Sequence, residues 1–299
     1  MNAPHELSLR ERLAPILPSW LRGDRPIVPV VRLQGAIGIG SPLRPALTLA
    51  SVAGPLEKAF STKGAKEIAL VINSPGGSAA QAHLIYGRIR QLAAEKDLGV
   101  TAFVEDAAAS GGYMIACAAD EIVADPASIV GSIGVVSAGF GFDRAIERLS
   151  VERRLYTSGE NKAILDPFSP EKAEDVERLR ELQREIHELF IGLVKERRGK
   201  ALSDDPELFT GAFWTGQSGL TLGLVDRLGD VRATMRERWG EKVELRPMTP
   251  KVSLLKRLAR RGGGQGAEAS AIGAGFAAGL ADNALASLEA RALWARFGL

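Results

Sequence analysis

Residues 107–116 read Ala107-Ala108-Ala109-Ser110-Gly111-Gly112-Tyr113-Met114-Ile115-Ala116. One serine stands between a run of tiny residues and the start of an apolar helical segment. On such a turn a hydroxyl points into open space with backbone N–H groups beside it, which is what an acyl-transfer nucleophile requires. Gly111 and Gly112 permit close backbone approach, and a helix starting here turns its positive end toward a developing oxyanion. Ser110 is therefore the candidate nucleophile, and the Gly111 N–H the natural first oxyanion donor.

A tetrahedral intermediate is best held from two directions, so a second donor is expected from another loop. Upstream, Ile72-Asn73-Ser74-Pro75-Gly76-Gly77-Ser78 supplies one. The proline ends a strand, and the paired glycines let an N–H face a substrate with no Cβ in the way. Gly77 is chosen over Gly76. Taken alone, Pro-Gly-Gly would be an ordinary strand-to-helix turn.

Around these two loops, short β-rich runs alternate with helical stretches. Strands are expected at Ile27 to Leu33, Ile68 to Ile72, Val100 to Val104, Glu121 to Val123, Gly134 to Ala138 and Glu152 to Tyr156. Helices are expected at Leu47 to Phe60, Ala79 to Glu95, Ser110 to Ala119 and Phe142 to Leu149. Alternation at crossover spacing argues for parallel pairing with helices as outer cover, an α/β class. From Ser169 to Arg198 one long helix is expected, with Ser169 as N-cap, Pro170 at the first helical position and Gly199 as the stop. Val176, Leu179, Leu182, Ile186, Phe190, Leu193 and Val194 form its apolar stripe, and its length of roughly 45 Å suits a brace for a domain or an oligomer contact.

Three parts follow along the 299 residues. Residues 1–26 form an N-terminal amphipathic appendage, in which Pro15 and Pro18 bend any helix. Residues 27–247 form the catalytic domain. Residues 248–299 hold a basic cluster (Lys251, Lys256, Arg257, Arg260, Arg261), a glycine-rich linker from Gly262 to Gly266 and an alanine-rich tail. The N-terminal appendage is expected to dock on its own domain or on a neighbouring subunit, with a membrane-surface anchor as the alternative; for the tail, a subunit contact, a disordered extension and an anionic membrane surface are the readings.

Composition narrows the function. A net charge of +2 spread over 38 basic and 36 acidic residues gives no field pointing to nucleic acid. The single cysteine, Cys117, excludes an internal disulfide and any cysteine-based zinc site. Three histidines without ligand-like spacing argue against a metal hydrolase. No apolar run is long enough to span a bilayer, and Glu6, Arg10, Glu11 and Arg12 interrupt the place of a signal-peptide core, so a cytoplasmic location is expected, with the cytoplasmic membrane face as a peripheral site.

The base for Ser110 is the harder question. His187 falls in the long helix and His83 on the helix after the glycine loop, so a Ser/His/Asp triad is disfavoured. A lysine can serve if burial keeps its amine uncharged. Lys162, in Gly159-Glu160-Asn161-Lys162, is followed by Ala163-Ile164-Leu165, whose apolar character could exclude water; beside Glu160 it also reads as an ordinary loop lysine.

Four segments together resemble the signal peptide peptidase A family, also called protease IV. They are Ala109-Ser-Gly-Gly-Tyr113, Gly131-Ser-Ile-Gly-Val135, Gly159-Glu-Asn-Lys162 with Asp166-Pro-Phe168, and Phe213-Trp-Thr-Gly216 leading to Gly223-Leu-Val-Asp226. The resemblance covers about Ile27 to Trp239. It implies a fold like the caseinolytic protease and crotonase superfamily, built of repeated strand-strand-helix units, and a Ser/Lys dyad. It puts the nucleophile on Ser110, the general base on Lys162, the lysine-orienting hydroxyl on Ser132, and the oxyanion donors on Gly77 and Gly111. It further implies a serine endopeptidase acting on extended, largely apolar peptides such as signal-peptide remnants or unfolded chains. No metal, nucleotide or organic cofactor is implied, and relatives of this short form assemble into rings, so a homo-oligomer is expected. Unlike many relatives, the sequence shows no N-terminal membrane anchor. A crotonase-like acyl-CoA enzyme using Glu105 or Asp106, and a non-catalytic scaffold, are the competing readings.

Overall fold

The computed structural model describes residues 25–40, 46–249, 288 and 290–299. The expected N-terminal appendage, the basic cluster, the glycine-rich linker and most of the alanine-rich tail lie outside those residues.

The second strand explains the sheet. Residues Ile68–Ser74 (β2) read Ile-Ala-Leu-Val-Ile-Asn-Ser, without the apolar/polar alternation of a one-sided strand, and every one is buried. Such a strand needs cover on both faces, which parallel sheets with crossover helices provide. β2 pairs in parallel with Ile27–Gln34 (β1) on one side and with Val100–Ala109 (β3) on the other. β1 pairs in parallel with Glu244–Pro247 (β8), which closes that edge.

β3 is longer than its sequence suggested and serves two neighbours. Its first half, Thr101 to Val104, pairs with Glu121–Ala124 (β4), and β4 pairs with Arg227–Leu228 (β7). Its last three residues pair with Ile129–Gly131 (β5), in the register Ala107↔Ile129, Ala108↔Val130, Ala109↔Gly131. Phe213–Thr215 (β6) adds to β5 in the antiparallel direction. The main path of the eight-stranded sheet runs β6-β5-β3-β2-β1-β8.

One face of this sheet is covered by Leu49–Phe60 (α1), Ala79–Lys96 (α2) and Gly111–Ala116 (α3), whose Leu56, Ile85, Ile89 and Met114 are buried with Leu33, Leu70 and Ile72. The C-terminal part of Ala173–Arg198 (α5) joins this core through Phe190, Leu193 and Val194. The other face carries Val28, Ala69, Val71, Phe103 and Val123, packed on Met235 of Val231–Trp239 (α7). Two further helices are Asp143–Arg148 (α4), which has no buried residue, and Gly216–Thr221 (α6), which follows β6 directly. Phe297 packs edge-on against Phe213, ring centres 5.0 Å apart.

Two polar clusters fasten the layers. Arg198, 5% exposed, makes a two-pronged ion pair to Asp226 at 2.8 and 2.7 Å and donates to the Gly223 carbonyl at 2.9 Å. Asp226 also accepts the Ile122 N–H at 2.7 Å, so the end of α5 is tied to the β4–β7 pair. Under α7, Arg238 bridges Glu67 and Glu121, and Thr101 donates to Glu67. A buried carboxylate such as Glu67 requires such partners, since an unpaired one would be expensive to desolvate.

The structure corrects three expectations. Neither Gly134 to Ala138 nor Glu152 to Tyr156 is a strand; the place between β3 and β6 is taken by Ile129–Gly131, three residues before the first. A strand needs a neighbour for its backbone groups, and residues 151–160 are exposed with no strand beside them. The long helix starts at Ala173 rather than near Ser169, because Ser169 donates its hydroxyl to Asp166 instead of capping. The middle of its apolar stripe is uncovered: Leu182 and Ile186 lie exposed, as does neighbouring Leu189, whereas Val176 and Leu179 are half-buried.

Candidate active site

The carboxyl ends of β2, β3 and β5 converge, and the residue after β3 is Ser110. Its backbone sits at φ 51° and ψ −123°, a conformation that costs a non-glycine residue on the order of 1–3 kcal/mol. Neighbouring bonds hold it there. The Ser110 N–H donates to the Gly131 carbonyl at 2.8 Å, and the Ser110 carbonyl accepts the Tyr113 and Met114 N–H groups at 2.9 and 3.0 Å. The half-buried side chain makes no capping hydrogen bond to its own helix. The strain turns the chain sharply out of β3 and frees the hydroxyl.

α3 has only six residues, so its dipole is a weak argument for anion stabilisation; the individual amides matter more. Among the described residues, the Gly77 and Gly111 N–H groups donate to no protein group, whereas the Gly76 and Ser78 N–H groups on either side of Gly77 are engaged. The Gly76 N–H donates to Ser74 Oγ at 3.3 Å, the Gly76 carbonyl accepts from Ile37 N–H at 2.8 Å, and the Ser78 N–H donates to the Ile37 carbonyl at 2.8 Å. The two free amides are close: a Cβ built on Gly111 would lie 3.7 Å from the Gly77 nitrogen.

Close approach explains both upstream glycines. Gly76 has φ +102°, and a Cβ there would lie 2.8 Å from Ser110 Cβ and 2.9 Å from the Ala109 carbonyl oxygen. Gly77 has φ +135°, and a Cβ would be driven to 2.2 Å from the Ile37 carbonyl oxygen. A side chain at Gly76 would push the glycine loop away from the serine turn, and one at Gly77 would push it away from Ile37.

Ser132 follows β5 and is 3% exposed, with φ 55°. Its N–H donates to the Ala212 carbonyl at 2.7 Å. The β3–β5 register ends at Ala109↔Gly131, so Ser110 and Ser132 are the residues that follow the last pair of two adjacent strands.

Lys162 is elsewhere in character. It lies on an exposed arm, residues 135–170, within a turn closed by its own N–H to the Gly159 carbonyl at 3.3 Å. Among the described residues no hydrogen bond joins it to Ser110 or Ser132. The dry surroundings expected from Ala163-Ile164-Leu165 are not found in the single chain: Ile164 and Leu165 are 39% and 36% exposed. Among the described residues nothing covers the apolar residues of the arm, with Phe140 81% and Tyr156 90% exposed.

The arm nonetheless has a defined shape. Phe142 stacks on Phe168 with ring centres 5.6 Å apart, and its N–H donates to the Pro167 carbonyl at 2.6 Å. Arg153 pairs with Asp166 at 3.4 Å and lies over the Phe168 ring. Desolvation pushes the Asp166 carboxyl upward, but hydrogen bonds from Arg153, Phe168 N–H and Ser169, with the Arg153 charge, outweigh it and hold the group below its ordinary value. The sequence singled out Asp166-Pro-Phe168 without this role, since its partner Arg153 is thirteen residues away in an arm that looked like a strand.

The competing readings fare poorly in the same geometry. His83 stacks on Tyr86 on the outer face of α2, and His187 Nε2 donates to the Ile133 carbonyl at 3.0 Å, so neither is bonded to Ser110. Glu105 is engaged by Arg32, and Asp106 accepts from Asn73 Nδ2 at 2.6 Å, so both carboxylates expected of an acyl-CoA enzyme are occupied within the sheet.

Comparison with known families matches residues 93–244, about half of the chain, to Peptidase family S49, and residues 41–128 to Clp protease. A protein of Brucella abortus named Na(+)/H(+) antiporter NhaA is 53% identical over 296 residues, covering 98% of this chain and 40% of that protein. The protein named SohB from Haemophilus influenzae is 32% identical over 210 residues, covering 70% of this chain and 58% of its own length. The chloroplastic serine protease SPPA of Arabidopsis thaliana is 31% identical over 217 residues, covering 70% and 31%. The chain thus spans well under two thirds of the length of these relatives. Among the described residues no helix is long and apolar enough to cross a membrane.

Proposed function

The chain belongs to peptidase family S49, and from that premise we propose that it is a serine endopeptidase working through an acyl-enzyme on Ser110. One observation carries the proposal: a strained serine whose hydroxyl is not used by its own helix, beside two backbone amides with no protein partner.

In this reading Lys162 is the general base, Ser132 orients its amine, and the Gly77 and Gly111 N–H groups receive the oxyanion. Lys162 accepts the Ser110 proton as Oγ attacks the peptide carbonyl. Collapse of the tetrahedral intermediate breaks the C–N bond, and the lysine ammonium returns the proton to the leaving amine. Water, deprotonated by the same amine, then attacks the ester, releasing the acid and restoring Ser110. The steps call on no metal, nucleotide or organic cofactor.

The exposure of Lys162 supports a role for it at a contact between copies of the chain. An amine acts as a base only when uncharged, and removal from water favours that form. The arm that carries Lys162 exposes Val136, Phe140, Leu149, Val151 and Tyr156, and the nearby stripe of α5 exposes Leu182, Ile186 and Leu189. Covering these surfaces with a second copy would shelter the amine and bring it to the serine turn of a neighbour, in a ring. The substrate of this proposal is an extended, largely apolar peptide, such as a signal-peptide remnant or an unfolded segment. It would lie along the glycine loop and residues 134–140, paired through its backbone.

Cleavage of fluorogenic peptides together with labelling of Ser110 by a serine-reactive phosphonate tests the proposal. Turnover and labelling that both vanish in Ser110→Ala are expected; an active Ser110→Ala would overturn it.

A further inference from the structure

A fully buried serine at the end of a buried strand needs a reason. Ser74 closes β2 and is 0% exposed. A buried hydroxyl costs free energy unless it is hydrogen-bonded, and alanine would fill this place at no such cost. Ser74 Oγ donates to the Gly35 carbonyl at 2.7 Å and accepts the Gly76 N–H at 3.3 Å. Gly35 is fixed in turn, its N–H donating to the Asn73 carbonyl at 2.9 Å.

The consequence reaches the oxyanion loop. With its N–H on Ser74 Oγ and its carbonyl on the Ile37 N–H, the Gly76 residue is held at both ends, although glycine at φ +102° could otherwise turn freely. With Ser78 N–H also engaged, Gly77 N–H is left as the free donor between them. Ser74 also touches the serine turn from below: a Cβ on Gly112 would lie 2.6 Å from the Ser74 carbonyl oxygen and 3.2 Å from its Cβ. One residue thus meets both loops whose spacing sets the distance between the nucleophile and the Gly77 donor.

We propose that Ser74 is a positioning residue for the peptidase reaction: its hydroxyl locks the Gly76 peptide so that the Gly77 N–H faces the oxyanion formed at Ser110. The inference rests on the peptidase reading above and adds to it a residue that touches neither substrate nor reacting atoms. Its effect belongs to the transition state, because a ground-state carbonyl gains little from a donor placed for the oxyanion.

Two variants of the full chain test it. Ser74→Ala removes the hydroxyl, and Ser74→Cys nearly keeps its volume while replacing it with a weak hydrogen-bonding group. With a fluorogenic peptide, both should lower kcat by about ten- to a hundredfold while KM stays within about twofold, the range expected for a misplaced donor. Affinity for a peptide aldehyde, which forms a tetrahedral adduct with Ser110, should fall by a similar factor. Binding of the uncleaved peptide to Ser110→Ala should be the same with and without the Ser74 change. Unchanged kcat in Ser74→Cys, or equal losses for aldehyde and uncleaved peptide, would overturn the role of Ser74 while leaving the peptidase reading intact. A wild-type chain that neither cleaves peptides nor binds the aldehyde would overturn both.

Discussion

Ser110 and Ser132 stand side by side at the ends of two parallel strands, joined by the 2.8 Å bond from Ser110 N–H to the carbonyl of Gly131, the residue before Ser132. Both serines have positive φ, 51° and 55°, in a region that L residues avoid. Neighbouring strands lie about 4.8 Å apart, so the two hydroxyl-bearing residues leave the sheet at a spacing one amine could bridge.

Strain at Ser110 predicts a trade of stability against activity. Ser110→Gly relieves a conformation costing roughly 1–3 kcal/mol, offset by the greater backbone entropy that glycine loses on folding, about 0.5–1 kcal/mol. The variant should be inactive yet melt at a higher temperature than Ser110→Ala, which keeps the strain. Thermal unfolding of the two variants side by side checks this; equal midpoints would limit the strain to the roughly 0.5–1 kcal/mol that the glycine entropy cancels.

Lys162 is exposed in the single chain, so its removal should spare the fold. Lys162→Ala should leave the melting temperature unchanged and lower kcat by about 10²–10⁴-fold, the usual loss of a general base. If the dyad closes between copies, mixing and reassembling inactive Ser110→Ala with inactive Lys162→Ala should restore measurable cleavage. A mixture as inert as its components would place the base within each chain.

The Asp166 carboxyl, held low by Arg153, Phe168 N–H and Ser169 against the opposing effect of desolvation, makes the arm sensitive to acid. A depressed folded-state value means that its stabilisation is complete above the ordinary carboxylate value of about 3.9 and is lost as pH falls through the lower, folded one. Hydrogen exchange in residues 135–170 should therefore accelerate, beyond its intrinsic pH dependence, only below about pH 4. Asp166→Asn should show the faster exchange already at neutral pH. An arm equally protected in that variant would remove Asp166 from its bracing.

Cys117 is 1% exposed, and burial pushes its thiol up to about 12. Thiolate, the reactive form, is therefore nearly absent at pH 8. Thiol reagents should leave the folded chain unmodified and label it stoichiometrically once denaturant unfolds it. Rapid labelling of the native protein would show that α3 opens readily.

Much of the architecture was legible because local chemistry and burial agree. Ile68–Ser74 has no polar alternation and is buried on both faces; the proline and glycines that follow it mark a turn, and the spacing of apolar residues in Ala79–Lys96 suits a helix laid on a sheet. The serine turn was readable for the same reason, since tiny residues before Ser110 and glycines after it leave the backbone few other uses. Where the reading failed, the cause was distant. Glu152 to Tyr156 has strand-like residues but no partner strand, and Ser169 found Asp166 before it could cap a helix.

Residue order alone thus determined the α/β class, the place of the serine turn and the glycines that only a close approach could require, because these depend on contacts between near neighbours and on side-chain size. Tertiary structure decided which amides stay unpaired, which serine stands beside Ser110, and that Lys162 faces outward on an arm without cover. Those outcomes depend on strand register and on bonds between residues such as Ser74 and Gly35, far apart in the chain, and no local pattern encodes them.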